Sequence, residues 1–332
     1  MSLRLSFLLG AVALVLAGCD GTVDDDFEPQ LVVSAFLGAE EPLPPVSLSE
    51  TAPLLDPFDP EAVAVSGATV SVSLLAADGS VETVYPYEAG PEVGLYLPLS
   101  SLPFDLQVLP ERTYRLDVTG PDGDVLTAET TVPPKYRVVE GPADEVPYGI
   151  GQGPEVRITE SSTDARRAAF VGSTRALAAD DYEAVIVDGE TKYRSLNLPD
   201  RFRPVPIVQR FFDCVEEAGG TLLCDDDPTV DALVGTSPVI NEASYIDLGD
   251  GTILVQVPFL AFGFYGPQRL NLVSLDVAFQ DFVQTQTIQG GGSTLSPGEI
   301  PNVTTNVEGG LGVFGSFARE AVGTTLVEPA LP

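Results

Sequence analysis

From Gln30 to Pro134 the chain repeats one short unit, in which apolar and polar residues alternate and a cluster of turn formers follows. Leu31-Val32-Val33-Ser34-Ala35-Phe36 opens the series, and Ala68-Thr69-Val70-Ser71-Val72-Ser73-Leu74 alternates strictly before an Asp78-Gly79 turn. In Thr113-Tyr114-Arg115-Leu116-Asp117-Val118 the residues Tyr114, Leu116 and Val118 fall on one side, with Arg115 and Asp117 on the other. Gly120-Pro121-Asp122-Gly123 then turns the chain back into Val125 to Val132. Successive side chains of a strand point to opposite faces, so this period of two predicts strands with one buried face. Their close spacing, with no helical period between them, predicts a small antiparallel sandwich over residues 30–134, punctuated by Pro133-Pro134.

The pattern loosens after residue 135. Strands are expected at Glu155 to Thr159, Arg167 to Val171, Tyr182 to Val187 and Thr252 to Val257, separated by long loops of the kind that often carry binding surfaces. One helix is expected near the end. Leu272, Leu275, Phe279 and Phe282 recur at three- and four-residue steps, Ser274 is a candidate N-cap with Asp276 in the first turn, and Gly290-Gly291-Gly292 stops the pattern. A last strand pair is expected in Leu311 to Phe317 and Thr324 to Val327. The expected class is therefore all-β: the N-terminal sandwich, then a second mostly-β domain over residues 135–332 with one helix.

Charge adds a second constraint. The formal net charge is −33, with 16 basic against 49 acidic residues and no histidine. Such a surface repels nucleic acid and anionic lipid, so neither is an expected partner. Only Lys135 and Lys192 are lysines, and the acids are spread along the whole chain. Strong acidity with little lysine is expected of a solvated surface working in concentrated salt, where screening over a few ångströms limits self-repulsion.

The first residues follow a different rule. Arg4 precedes an apolar run from Leu5 to Leu16 and the small residues Ala17 and Gly18. A spanning helix needs about 20 apolar residues. The run is shorter and reads as a signal peptide, residues 1–18, that is removed. Leu16-Ala17-Gly18-Cys19 resembles the lipobox of bacterial lipoproteins, in which the cysteine receives a diacylglycerol thioether and becomes the first residue of the mature chain. On this reading Cys19 is a membrane anchor and residues 19–29 an acidic tether. Two or three acyl chains hold a protein stably where one does so only marginally.

Cys214 and Cys224 flank Val-Glu-Glu-Ala-Gly-Gly-Thr-Leu-Leu, which reads as a hairpin around Ala218-Gly219-Gly220. A three-residue loop there pairs 214 with 224, within bridging range, and an exported chain sits where disulfides persist. A Cys214–Cys224 disulfide is expected. Two thiols without histidine do not suggest a metal site. The absence of histidine also removes His-based triads and the usual neutral-pH general base. Paired carboxylates could hydrolyse glycosides, but among 49 acids a pair is unremarkable. Gly310, Gly312 and Gly315 satisfy G-x-G-x-x-G, yet a dinucleotide site needs a strand before it, a helix after it and a distant acid. The residues that follow alternate like a strand instead. Asp24-Asp25-Asp26 and Asp225-Asp226-Asp227 are better read as solvated tether and loop than as calcium cages, because consecutive aspartates on an extended chain point apart. No cofactor, metal or catalytic residue is expected, and the chain is not expected to be an enzyme.

The run Pro301-Asn302-Val303-Thr304-Thr305-Asn306-Val307-Glu308-Gly309-Gly310-Leu311-Gly312-Val313-Phe314-Gly315 resembles the closing signature of a Bacteroidota-type lipoprotein family catalogued as domain of unknown function 4249. The lipobox, the acidic tether, the Leu-Val-Val strand, Thr113 to Val118 and the strand ending Val132-Pro133 are similar to that family as well. The resemblance implies an outer-membrane lipoprotein, often encoded beside a TonB-dependent receptor, with an immunoglobulin-like or transthyretin-like N-terminal sandwich. It lends no catalytic residues. Asn306, Gly309, Gly310, Gly312, Phe314 and Gly315 are expected to form a packing motif that seats the C-terminal strand against the second domain and holds no ligand. The expected function is a lipid-anchored outer-membrane accessory protein, facing the cell exterior and working with a TonB-dependent receptor in nutrient capture. A structural or adhesive envelope protein is the alternative, and a glycoside or peptide hydrolase the third reading.

Overall fold

The computed structural model describes residues 27–53, 57, 59–103, 105–151, 153–163, 166–177, 184–187, 190–193, 234–263, 266–290 and 304–327. The N-terminal strands are β1 (Leu31–Gly38), β2 (Val46–Glu50), β3 (Thr69–Leu75), β4 (Val81–Ala89), β5 (Leu95–Pro98), β6 (Thr113–Thr119) and β7 (Val125–Thr131). Next come β8 (Val138–Glu140), β9 (Glu145–Pro147), β10 (Glu155–Thr159), β11 (Ser162–Thr163), β12 (Arg166–Arg167), β13 (Ala169–Ala176), β14 (Ala184–Val187) and β15 (Glu190–Tyr193). The rest are β16 (Val234–Thr236), β17 (Ile246–Asp247), β18 (Thr252–Gln256), β19 (Gly266–Leu275), helix α1 (Val277–Gly290), β20 (Val307–Glu308) and β21 (Leu311–Val327). The protein is all-β with one α-helix among the described residues.

Strict alternation produces the N-terminal sandwich. Leu31, Val33, Ala35 and Leu37 of β1 point inward, as do Tyr114, Leu116 and Val118 of β6 and Leu126 and Ala128 of β7. One long sheet runs β16-β13-β19-β21-β1-β2-β5-β4-β3-β6-β7-β20. It folds over at β4, whose first half pairs with β3 while Tyr87 to Ala89 pair with β5. Two faces result, β1-β2-β5 and β3-β6-β7, with the inward side chains between them.

Opposite the β4 fold, the sandwich is closed from the other end of the chain. β20 lies antiparallel on the outer edge of β7, with Val307 opposite Ala128. Then β21 lies parallel to β1, in register from Val32–Leu311 to Gly38–Phe317. The expected final strand pair is thus one continuous strand of 17 residues. Its first half belongs to the N-terminal sandwich, so the motif expected to seat it against the second domain contacts β1 and β7 instead. The reason is supply of partners: β1 and β7 each have an edge to fill, and backbone donors and acceptors at a buried edge must be paired.

Beyond Phe317, β21 continues into a C-terminal unit, pairing antiparallel with β19 from Leu275–Phe317 to Gly266–Leu326 and in parallel with β9. A second sheet, β17-β18-β10-β8, packs Val156, Ile158, Ile253 and Val255 against Tyr136, Phe170, Leu270 and Leu272. A single apolar cluster runs through both units.

The helix starts later than its sequence signals suggest. Leu272, Ser274 and Leu275 belong to β19, where Leu270, Leu272 and Ser274 point inward with a period of two. Pairing with β13 and β21 on both sides overrides the three- and four-residue spacing. The cap is Asp276 rather than Ser274: Asp276 Oδ1 accepts the Phe279 N–H at 2.8 Å. The helix lies on the outer face of the β1–β21 pair, with the Phe36 and Phe279 ring centroids 4.4 Å apart.

Candidate functional site

Where the N-terminus of α1, the end of β7 and the segment before β20 meet, they leave an open groove of about 340 Å³. Its walls include Thr113, Glu129, Thr131, Asp281, Thr304 and Asn306, with Asp276 and Thr130 at its floor. Thr113 and Thr131 are cross-strand partners whose hydroxyl oxygens lie 2.9 Å apart. Beneath them is a buried polar cluster. Asp276 is 4% exposed; its carboxylate accepts the Thr130 hydroxyl and the Phe279 N–H, and its own N–H donates to the Ser316 carbonyl at 3.0 Å. The Thr130 and Ser316 hydroxyl oxygens are 2.7 Å apart, and Ser316 Oγ donates to the Thr131 carbonyl at 3.1 Å. Burial pushes the Asp276 carboxyl above the ordinary carboxylate range, and the donors from Thr130, Phe279 and Ser316 only partly offset it.

Asn306 joins this groove to the strand that closes the sandwich. Its Oδ1 accepts the Phe314 N–H at 3.0 Å, while Nδ2 donates to the Phe314 carbonyl at 2.8 Å and to the Glu129 carbonyl at 3.0 Å. The amide thereby stands in for a peptide unit between β7 and β21. Phe314 is fully buried. Gly312 has φ +114°, and a Cβ there would lie 1.9 Å from the Val33 carbonyl oxygen. At Gly309, with φ +85°, a Cβ would lie 2.1 Å from the Val125 carbonyl oxygen. Both the conformation and the approach require glycine. Gly310 sits against Leu126 and the Leu31 carbonyl, and Gly315 lets Phe279 of the helix come close.

The six motif residues therefore lie along one seam. Cys19, Cys214, Cys224 and the clusters Asp24 to Asp26 and Asp225 to Asp227 fall outside the described residues. Among the described residues no group of three or more His, Cys, Asp or Glu side chains could hold a metal ion. The Asp247 to Thr252 turn illustrates how acids are used instead: Asp247 accepts from Arg167, Asp250 accepts from Arg157, and each also binds a backbone N–H of its own turn. Chemically, the groove offers hydroxyls and carboxylates, a lining suited to a cationic or polyhydroxylated group. Thr130, Asp276 and Ser316 escaped sequence reasoning because they are far apart in the chain. Asp276 alone carried a local signal, an aspartate three residues before Phe279 at a helix start, and Ser274 competed with it.

Fold and groove define an all-β protein in which the two ends of the chain share a sheet and a polar groove opens beside their seam. The chain belongs to the family described as Domain of unknown function (DUF4249), whose profile matches residues 20–321. No curated protein matches it. Among solved structures it is similar to Escherichia coli alpha-2-macroglobulin activated by porcine elastase, at 12% identity and a TM-score of 0.22, over 91% of this chain and 23% of that one. A trypsin-activated alpha-2-macroglobulin from Escherichia coli gives 9% identity and a TM-score of 0.18 over 75% of this chain and 14% of that one. The chain thus spans less than a quarter of either structure.

Proposed function

We propose that the protein is a lipid-anchored outer-membrane accessory protein that faces the cell exterior and works with a TonB-dependent receptor in capturing a nutrient. The observation that carries this reading is Leu16-Ala17-Gly18-Cys19, placed immediately before the segment that matches the family. Cys19 supplies the acyl anchor, residues 19–29 the tether, and β1 begins directly after it. Among the described residues no helix is long and apolar enough to cross a membrane. The proposed place of ligand contact is the groove beside Asn306, at Thr113, Glu129, Thr131 and Asp281; Asn306 itself keeps its packing role, its amide being bonded to Phe314 and Glu129.

Replacing Cys19 tests the anchor. In cells fed a labelled fatty acid, the wild-type protein takes up label and fractionates with membranes, whereas Cys19→Ala does neither; an unlabelled variant retained on membranes contradicts the anchor. Purification of the intact lipoprotein in mild detergent tests the partner. A co-purifying TonB-dependent receptor supports the accessory role, and its absence under conditions that preserve other envelope complexes favours a structural or adhesive protein.

A further inference from the structure

The N-terminal sandwich lacks one element that its own sequence does not supply. β1 pairs with β2 on one side only, and its other edge is filled from Leu311 to Phe317. The outer edge of β7 is filled by Val307-Glu308 and by the Asn306 amide on the Glu129 carbonyl. Ser316 adds a bond to the Thr131 carbonyl, and the fully buried Phe314 ring completes the interior. Without residues 304–317, two strand edges lose their partners and the core between them opens. An unpaired buried backbone group costs about as much as a lost hydrogen bond.

We propose that the segment 304–327 is separable and that its first part, residues 304–317, is the closing strand of the sandwich. Residues 27–131 present a slot for it, which stays open until the C-terminal part of the chain arrives and which accepts the segment in trans. Selectivity comes from the two glycine positions. At Gly312 any side chain would meet the Val33 carbonyl oxygen at 1.9 Å, and at Gly309 the Val125 carbonyl oxygen at 2.1 Å, so a strand with side chains there is refused. The Asn306 amide, bonded to both Phe314 and Glu129, fixes the register of what enters. The consequence is an order of events: the sandwich that is synthesised first is completed last, and a chain in transit keeps it open. None of this depends on lipidation at Cys19.

The test uses the whole chain with a protease recognition sequence inserted between residues 290 and 304. Cutting the folded protein leaves the fragments associated; denaturant then separates them, and the larger fragment is refolded alone, with a synthetic peptide of residues 304–327, or with the same peptide carrying Gly312→Val. Hydrogen exchange of the β1 and β7 amides and proteolysis of residues 31–131 are read in each case. Alone, the fragment should lose protection in β1 and β7 and be cut at least about tenfold faster, since proteolysis follows the open population. The native peptide should restore both readouts and the Gly312→Val peptide neither. A fragment that protects β1 and β7 unaided, a native peptide that restores nothing, or a Gly312→Val peptide that restores as well as the native one would each overturn the proposal.

Discussion

The N-terminal sandwich and the C-terminal unit share a sheet and an apolar cluster, yet they treat buried polar groups differently. In the sandwich and its seam, Thr130, Asp276 and Ser316 are buried and all hydrogen-bonded to one another or to backbone. In the C-terminal unit Thr174, Ser237 and Thr324 are satisfied by backbone in the same way, but Ser161, Ser274 and Tyr245 bury hydroxyl oxygens that find no partner among the described residues. Satisfied buried polar groups fix a single arrangement, whereas an unsatisfied one costs about 1–3 kcal/mol without specifying anything. The seam thus carries a fully satisfied buried polar cluster, and the three unpartnered hydroxyls of the C-terminal unit are places where stability can be raised.

The largest effect that would break this contrast is at the centre of the seam. Phe314→Ala removes a fully buried ring shared by β21 and the sandwich, and large-to-small core changes of this kind cost about 3–5 kcal/mol. Chemical denaturation should show that loss in a single transition covering both units. Asn306→Ala should cost less, about 1–3 kcal/mol, because it strands the Phe314 N–H and leaves the Phe314 and Glu129 carbonyls one donor short. Its effect should appear first as faster hydrogen exchange in β7 and β20, not in β10 and β18.

A smaller effect is expected from pH. The Asp276 carboxyl titrates above the ordinary aspartate value in the folded protein because burial disfavours its charge. The folded state therefore holds the proton more tightly than the unfolded state. The contribution of this group is fully present below the unfolded value and is lost as pH rises through the folded one. Asp276→Asn keeps an N-cap residue and removes the titration. Its Tm relative to wild type should rise as pH climbs above the ordinary aspartate range, and thermal melts that differ by the same amount at every pH would refute the assignment. The smallest change expected is Ser274→Ala, which deletes an unsatisfied buried hydroxyl. It should be neutral or stabilising, by up to about 1 kcal/mol, whereas Ser316→Ala on the facing strand should destabilise.

What could be read from the sequence follows the same division. The strands at 31–38, 113–119 and 125–131 alternate in burial over most of their length, and the apolar residues at 70, 72 and 74 keep the same period even though Ser73 and Leu75 are buried too, so the period survives without knowledge of the rest. β19 could not be read that way. Its inward residues Leu270, Leu272 and Ser274 obey a period of two, but Leu272 and Leu275 also stand at helical distances from Phe279 and Phe282, which do lie on a helix. Only pairing with β13 and β21 decides between the two readings. At the groove, the glycines and Asn306 stood out as a run, while Thr130, Asp276 and Ser316 come together across separations of 146 and 186 residues. No local period encodes such a meeting.

The central claim is that the first and last parts of the chain lie side by side in parallel register, and paired cysteines test it most directly. With the native cysteines replaced by serine, Ser34→Cys is combined with Val313→Cys, its register partner on β21. Adjacent strands lie about 4.8 Å apart, within the Cα separation that a disulfide spans. Mild oxidation of the folded protein should cross-link this pair rapidly and leave the control pair Ser34→Cys with Ala318→Cys free. Equal cross-linking of the two pairs, or none in either, would contradict the account.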